Sequence, residues 1–223
     1  RILAGLSNDD VTTLEGDDIV LGDNGELTYS AGLLISAESS ETALGDVDKI
    51  AVGEGDNIVI AGQGADVVTT GSGSDTVMGD NGEISYSLAG VTITSTATDQ
   101  GGDDSITALG GDNAIVGGLG SDTITTASGS DVVLGDSGKL SYVGDDLTSA
   151  ESTSASLGGV DTIAVGEGDN IVIAGQGADV VTTGSGSDTV IGDSGEINYD
   201  LNGVITDLQS TATDQGGDDS ITT

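Results

Sequence analysis

The sequence lacks several residue types that folded domains normally use. Its 223 residues contain no Pro, Cys, His, Trp or Phe, and the only aromatic residues are four tyrosines. The absence of cysteine excludes a disulfide framework. The scarcity of large rings excludes a conventional aromatic core, so the core must be thin and built from small aliphatic residues. Without His or Cys, catalysis has little basis and the chain is predicted not to be an enzyme; a glycosidase using paired carboxylates such as Asp103 and Asp104 is a minor alternative.

Positive charge is almost absent as well. Only Arg1, Lys49 and Lys139 are basic, against 39 acidic residues, so the formal net charge is −36. Such a charge repels phosphate backbones and anionic headgroups, which argues against nucleic acid or a membrane surface as partner and favours cations. No apolar run reaches the roughly 18 residues of a membrane span and no signal peptide is seen, so membrane insertion is not expected.

The acidic residues are strongly biased in type. Thirty of the 39 are Asp, and short carboxylates beside glycine are typical of tight turns or of sites for hard cations. High net charge with few aromatics is also the compositional signature of disorder. The positions of these residues decide between the two interpretations.

A long repeat organises the chain. Residues 50–77 recur without change at 163–190, and a GDxG segment begins near residues 22, 79, 135 and 192. These starts define modules of 56 or 57 residues, and we predict one continuous repeat array over 1–223. Arg1 falls inside a repeat, so the chain is expected to be part of a longer protein.

A shorter period of nine residues lies inside each module, as in GGLGSDTIT at 117–125. Fifteen copies fit the pattern GGxGxDxUx, where U is always Val or Ile. Nine-residue spacing fits no helix face, and so many glycines would each destabilise a helix by about 1 kcal/mol. Six Gly- and Asp-rich residues instead predict a turn, and xUx predicts a three-residue strand that buries its middle side chain. Stacked units then form an all-β solenoid with a continuous aliphatic column.

This pattern resembles the calcium-binding nonapeptide of the RTX (repeats-in-toxin) family, whose fold is a parallel β-roll with Ca²⁺ between stacked loops. The resemblance implies that the residues at the sixth position of the nonapeptide are calcium ligands together with loop carbonyls. These residues are Asp9, Asp18, Asp48, Asn57, Asp66, Asp75, Asp104, Asn113, Asp122, Asp131, Asp161, Asn170, Asp179, Asp188 and Asp219. With one ion per stacked pair of loops, on the order of ten ions are expected. The alternative, that these residues only form turns, would leave the large negative charge uncompensated.

Three copies carry Asn instead of Asp, each preceded by Asp: Asn57, Asn113 and Asn170. They are interpreted as altered sites that bind calcium more weakly, or that use the preceding carboxylate or the Asn carbonyl oxygen. Simple sequence drift is the alternative.

The fifth nonapeptide of each module departs from the pattern. It begins GDxG, replaces the sixth residue by Leu or Ile, and carries the tyrosines Tyr29, Tyr86, Tyr142 and Tyr199. Calcium is not expected in these fifth loops. If this repeat and the apolar stretch after it continue the roll, each module has about three coils; the competing structure is a hairpin that turns at 88–90 or 201–203. The tyrosines are expected to fill the core, with carbohydrate or partner binding as the alternative.

Strand parity predicts one polar, Thr-rich outer face and one apolar outer face. Members of the apolar face are Ile58, Ile60, Val132, Leu134, Ile171 and Ile173. So large an apolar surface requires a cover. Self-association with another copy is the preferred cover, and the chain's own spacers are the alternative.

These features together predict a calcium-binding structural segment of a secreted bacterial surface protein: an adhesin stalk, an extracellular fibre or a surface layer. It would fold and become rigid on meeting extracellular Ca²⁺. The alternative is the calcium-triggered folding and secretion module of an RTX exoenzyme or toxin, which usually has a shorter array.

Overall fold

The chain folds into three stacked β-sheets, two of which form the predicted parallel roll. The structure is a computed structural model that describes residues 1–153, 157–211 and 216–223. The first positions of the nonapeptides at 156–164 and 214–222 lie outside the described residues. Within the described part of the chain, each sheet has eight strands. The all-β, parallel β-roll prediction is therefore confirmed.

The central sheet contains every second strand of the roll. Its parallel strands are β1 (Ile2–Leu3), β3 (Ile19–Leu21), β7 (Ile58–Ile60), β9 (Thr76–Met78), β13 (Ala114–Gly118), β15 (Val132–Asp136), β19 (Ile171–Ile173) and β21 (Thr189–Ile191). Equivalent residues of successive coils are paired, for example Val77 with Ile115 and Ile115 with Val133.

The threonine sheet contains the other strands of the roll. Its parallel strands are β2 (Asp10–Thr12), β6 (Lys49–Ala51), β8 (Val67–Ser72), β12 (Ser105–Gly110), β14 (Thr123–Thr126), β18 (Thr162–Ala164), β20 (Val180–Thr182) and β24 (Ser220–Thr222). The middle residue of each xUx triplet points between this sheet and the central sheet. Ile106, Ile124, Val59 and Val133, for instance, are all fully buried in one continuous aliphatic cluster. The outer face is mostly polar and partly exposed, as predicted from strand parity, with Val67 and Val180 as exposed apolar residues.

The hairpin sheet is antiparallel and consists of the fifth repeats with the segments that follow them. Its strands are β4 (Gly25–Ser30), β5 (Leu33–Ser39), β10 (Gly82–Ser87), β11 (Gly90–Ser95), β16 (Gly138–Val143), β17 (Asp146–Ser152), β22 (Gly195–Tyr199) and β23 (Ile205–Ser210). The prediction of a third coil in each module is therefore wrong. Each module contributes two coils and one hairpin, and β10 turns back into β11 at Gly90, whose φ of +136° suits glycine.

A second hydrophobic core explains why the hairpin is preferred over a coil. A strand in the roll buries one inward side chain, whereas the hairpin places Ile84 opposite Ile93, with both buried against the central sheet. The outer residues of the central sheet, including Ile60, Leu134 and Ile173, are each 1% exposed in this core. Full burial of such a side chain is worth about 1.5–3 kcal/mol.

The predicted self-association through this apolar face is therefore wrong. Val132 is buried in the same second core, and Ile58 and Ile171 pack against it. The chain's own hairpins cover the surface that a second copy would have used. The alternative cover, the spacers, is the correct one.

The tyrosines belong to the same core. Tyr86, Tyr142 and Tyr199 pack against the buried cluster between the hairpin and central sheets. Burial raises the pKa of the Tyr86 hydroxyl above its usual value. At these three positions the structure confirms the prediction that the tyrosines fill the core.

Candidate calcium-binding site

The sixth-position residues form two columns, one along each edge of the roll. The column that precedes the threonine-sheet strands is called the carboxylate edge and consists of Asp9, Asp48, Asp66, Asp104, Asp122, Asp161, Asp179 and Asp219. The column that precedes the central-sheet strands is called the mixed edge and consists of Asp18, Asn57, Asp75, Asn113, Asp131, Asn170 and Asp188. The structure thus brings all fifteen predicted residues into register.

On the carboxylate edge, one carboxylate oxygen of each residue after Asp9 accepts a backbone hydrogen bond from the previous coil. The backbone N–H of Asp66 donates to Oδ1 of Asp104 (2.7 Å), and that of Asp104 donates to Oδ1 of Asp122 (2.8 Å). The same bond recurs along both edges, where Asn57, Asn113 and Asn170 accept it through their side-chain oxygens. This ladder explains why an Asx side chain is needed at every sixth position.

The second oxygen of most of these Asp residues is buried without a hydrogen-bond donor among the described residues. Such Oδ2 atoms belong to Asp9, Asp48, Asp66, Asp75, Asp104, Asp122, Asp131, Asp161 and Asp179. A buried carboxylate without a partner costs several kcal/mol. A column of such oxygens needs positive charge, and the two ion pairs in the described part of the chain, Lys139–Glu151 and the N-terminal amine with Asp18, do not supply it.

Glycine allows loop carbonyls to approach these oxygens. A Cβ atom placed at Gly117 would lie 2.2 Å from the carbonyl oxygen of Gly135 and 2.4 Å from Oδ2 of Asp122. Gly120 has a φ of +120°, and a Cβ atom there would lie 2.0 Å from the carbonyl oxygen of Gly102. A side chain at Gly117 would fill the space beside the Asp122 carboxylate, and one at Gly120 would clash with the loop of the previous coil.

This donor set fits Ca²⁺. Calcium takes six to eight oxygen ligands in flexible geometry, and carboxylates and backbone carbonyls both serve. No group of three His, Cys, Asp or Glu side chains converges on one point within the described residues. Each ion would therefore be held by a small number of Asp carboxylates together with loop carbonyls. Ligation by the predicted residues remains a prediction.

The raised pKa values of the carboxylate edge also indicate that its ionised form needs a bound cation. Burial raises the pKa of Asp104 to about 10, and the neighbouring charges of Asp80 and Asp122 add to the increase. Burial also raises the pKa of Asp122 to about 9 and those of Asp66 and Asp161 to about 7. A bound cation favours the ionised form and reverses these shifts.

Sequence reasoning missed four further carboxylates, Asp23, Asp80, Asp136 and Asp193, at the second position of GDxG. Asp80 is 5% exposed; its Oδ1 accepts the N–H of Gly102 (3.0 Å) and its Oδ2 accepts the N–H of Leu119. Asp80 therefore joins the loop in which the hairpin is inserted to the loop of the next coil. The invariant Asp in all four GDxG segments was the available signal. The sequence pattern predicts only a calcium-free loop at this Asp, whereas the structure places Asp80 beside Asp104.

Folding should need less calcium at mildly acid pH. In the calcium-free fold the raised pKa values mean that protonation stabilises the fold; this stability is fully present below the unfolded pKa near 4 and is lost as pH rises through about 6 (Asp23, Asp179) to about 10 (Asp104). The carboxyl groups of the unfolded chain are ionised at both pH 6 and pH 8, so protonation of the calcium-free fold at pH 6 replaces part of the stabilisation that calcium supplies. We expect the calcium concentration at the folding midpoint, followed by circular dichroism at constant ionic strength, to be lower at pH 6 than at pH 8. A higher midpoint at pH 6 would contradict this assignment.

Substitution of a single predicted ligand should weaken calcium-dependent folding beyond its own site. Asp122→Ala removes a charge and also leaves the buried N–H of Asp104 without its acceptor, a loss of about 1–3 kcal/mol. We expect the midpoint calcium concentration to rise by on the order of tenfold or more. Asp10→Ala, at an exposed position of β2, is the matched control and should leave the midpoint nearly unchanged. The prediction fails if both variants titrate like the original chain.

A comparison with protein-family models now bears on this geometry. The model described as RTX calcium-binding nonapeptide repeat (4 copies) matches residues 1–26, 46–83, 96–124, 107–139 and 157–195, which is more than half of the chain. The chain belongs to the RTX family. Its repeats are calcium-binding repeats, and the matched ranges leave out most of each RTX hairpin. A comparison with curated proteins finds no match. No helix in the described part of the RTX chain has the length and apolar character needed to span a membrane.

Proposed function

We propose that this RTX chain is a calcium-rigidified structural segment of a secreted bacterial surface protein, such as an adhesin stalk, an extracellular fibre or a surface layer. Its role is mechanical rather than catalytic. The observation that carries the proposal is the continuity of all three sheets across the module boundary. β8 pairs with β12, β9 with β13 and β5 with β10, so adjacent modules share backbone hydrogen bonds in every layer.

This continuity distinguishes the array from modules on a string. A flexible linker transmits tension but not bending, whereas paired strands in three layers resist both. Each module adds two strands to each sheet, or about 10 Å of length at the usual strand spacing. The chain therefore suits a short, stiff and wide spacer.

The calcium dependence of the repeats supports a location outside the cell. RTX sites of roughly 10⁻⁴–10⁻³ M would be filled at extracellular calcium levels and empty in the cytosol. With 39 carboxylates against three basic residues, the chain would remain unfolded before export. Unfolded export suits type I secretion, which is typical of RTX proteins. The second candidate, a folding and secretion module of an exoenzyme, shares this calcium-driven conversion.

Force spectroscopy on single chains tests the mechanical proposal. In calcium we expect the chain to resist extension and then yield in steps, and in EGTA we expect the smooth extension of an unfolded chain. Magnesium at equal concentration is the control and should behave like EGTA, because Mg²⁺ dehydrates reluctantly and demands octahedral geometry. A chain that folds in calcium by circular dichroism but still extends at low force would refute a mechanical role and would leave the secretion module as the better proposal.

A further inference from the structure

The three Asn side chains on the mixed edge make hydrogen bonds that no Asp can make. Nδ2 of Asn57 donates to the carbonyl oxygens of Gly53 (3.1 Å) and Gly55 (2.8 Å) in its own loop and to Oδ1 of Asp75 in the next coil (2.9 Å). The amide nitrogen thus lies among oxygens of the kind that would bind a cation. Its protons satisfy them directly.

The same contacts recur in the other modules. Nδ2 of Asn113 donates to the carbonyl of Gly111 (2.9 Å) and to Oδ1 of Asp131 (2.8 Å). Nδ2 of Asn170 donates to the carbonyls of Gly166 and Gly168 and to Oδ1 of Asp188 (2.9 Å). The orientation of each amide is determined by its surroundings, because its oxygen accepts a backbone N–H from the previous coil while its nitrogen faces carbonyl oxygens.

Asp and Asn alternate strictly along the mixed edge, so its stacked loop pairs are of two kinds. In an amide junction the Asn side chain bonds the next Asp; these junctions are Asn57/Asp75, Asn113/Asp131 and Asn170/Asp188, and all lie within a module. In a carboxylate junction an Asp precedes an Asn of the next module; these junctions are Asp18/Asn57, Asp75/Asn113 and Asp131/Asn170.

The two kinds of junction also differ in whether the side-chain atom that faces the next coil has a hydrogen-bond partner. The Oδ2 atoms of Asp75 and Asp131, which begin carboxylate junctions, are buried in residues 1% and 0% exposed and accept no hydrogen bond of ordinary geometry from the described residues. The Thr70 hydroxyl interacts with the Asp75 carboxylate but leaves its negative charge uncompensated. In Asn57, which begins an amide junction, the corresponding atom is the bonded Nδ2. A cation is therefore required at the first kind of junction and excluded by the amide protons at the second.

The rest of each loop changes together with the sixth residue. Asp loops begin with Thr, such as the buried Thr70, whereas Asn loops begin with Val52, Ala108 or Val165, which join the aliphatic core. Asn loops also carry Asp at the fifth position, where the Asp loops carry Ser except at Asp17, and Oδ1 of Asp56 accepts the N–H of Ser74 across the amide junction (2.8 Å). Two complete loop types alternate, which is not expected from drift at one position.

We propose that the mixed edge binds Ca²⁺ only at its carboxylate junctions, where one module meets the next, and that Asn amides replace calcium inside each module. The proposal rests on the calcium binding of the repeats proposed above. The carboxylate edge, which has Asp in every loop, binds calcium throughout. Calcium is therefore distributed unevenly between the two edges, and on the mixed edge each ion bridges two adjacent modules.

Ion counting by native mass spectrometry, checked by calorimetric titration, tests the assignment. Asn113→Asp removes the amide of one amide junction and should raise the number of bound ions by one. Asn202→Asp, at an exposed hairpin turn, makes the same charge change and should leave the count unchanged. An unchanged count in Asn113→Asp would overturn the proposal.

The reverse substitution provides a second and independent test. Asp75→Asn places an amide at a carboxylate junction and should lower the count by one while the chain still folds in calcium. Asp207→Asn, at an exposed hairpin residue, is its control and should keep the original count. If Asp75→Asn retains every ion, the proposal is wrong even if Asn113→Asp fails to fold. If the original chain binds no calcium at all, the calcium-binding function itself fails, which is a different result.

Discussion

Removal of calcium is expected to unfold the entire roll. At about 10 mM calcium, a site with a dissociation constant near 10⁻³ M stabilises the folded state by about 1.4 kcal/mol. On the order of ten such sites supply about 14 kcal/mol, which is as large as the whole net stability of an ordinary domain, roughly 5–15 kcal/mol. Without them, the buried carboxylates of both edges face one another with no cation, and backbone entropy of about 1–2 kcal/mol per residue prevails.

Circular dichroism in EGTA and then in calcium measures this change. The spectrum should convert from that of a disordered chain to a β-rich one, with a steep dependence on calcium concentration because stacked coils fold together. Sodium chloride at matched ionic strength is the control for simple charge screening and should restore little structure. A β-rich spectrum that persists in EGTA would show that the aliphatic cores suffice without metal.

Loss of the second core is expected to be nearly as damaging. Ile173 is 1% exposed between the central and hairpin sheets. Ile173→Lys removes a buried side chain and places an ammonium group in an apolar layer, which should destabilise the fold by on the order of 5 kcal/mol. We expect the variant to require far more calcium to fold, or to remain unfolded, with no effect that depends on protein concentration.

Val180→Lys is the matched control. Val180 lies in the next strand along the chain, but on the outer face of the threonine sheet, where it is 43% exposed between Thr162 and Ser220. A lysine there keeps its charge in water, so the calcium titration should be nearly unchanged. If Ile173→Lys folds normally and only an assembly is lost, the hairpins are not the cover of the apolar face.

The sequence alone was sufficient for the roll. A nine-residue period with Gly before Asp and one aliphatic residue two positions later leaves few structures, because each unit is too small to bury its own side chain and must stack. The inward position of Val59, Ile115 and Val133, and the two outer faces, then follow from the two-residue alternation of a strand. The register of the sixth-position residues followed from the same period.

Whether the fifth repeat continues the roll or forms a hairpin was decided by tertiary structure. A strand such as that containing Ile84 and Tyr86 has the same alternation whether it continues the roll or leaves it. The outcome depends on burial: the hairpin covers the apolar face that Ile60 and Leu134 present, whereas a further coil would have left that face in water. Neither the local strand propensity nor the repeat spacing shows how much apolar surface each of the two arrangements would bury.

The two kinds of junction on the mixed edge also emerged only from the structure. Alternation of Asp and Asn is visible in the sequence, but the partner of each side chain is not, because it lies 18 or about 39 residues away in the next coil. The same is true of Asp80, whose carboxylate accepts one bond from Gly102, beyond the inserted hairpin, and one from Leu119 in the next coil. The repeat determined which side chains stack in a column. Only their three-dimensional neighbours decided whether a given oxygen meets an amide proton or needs a calcium ion.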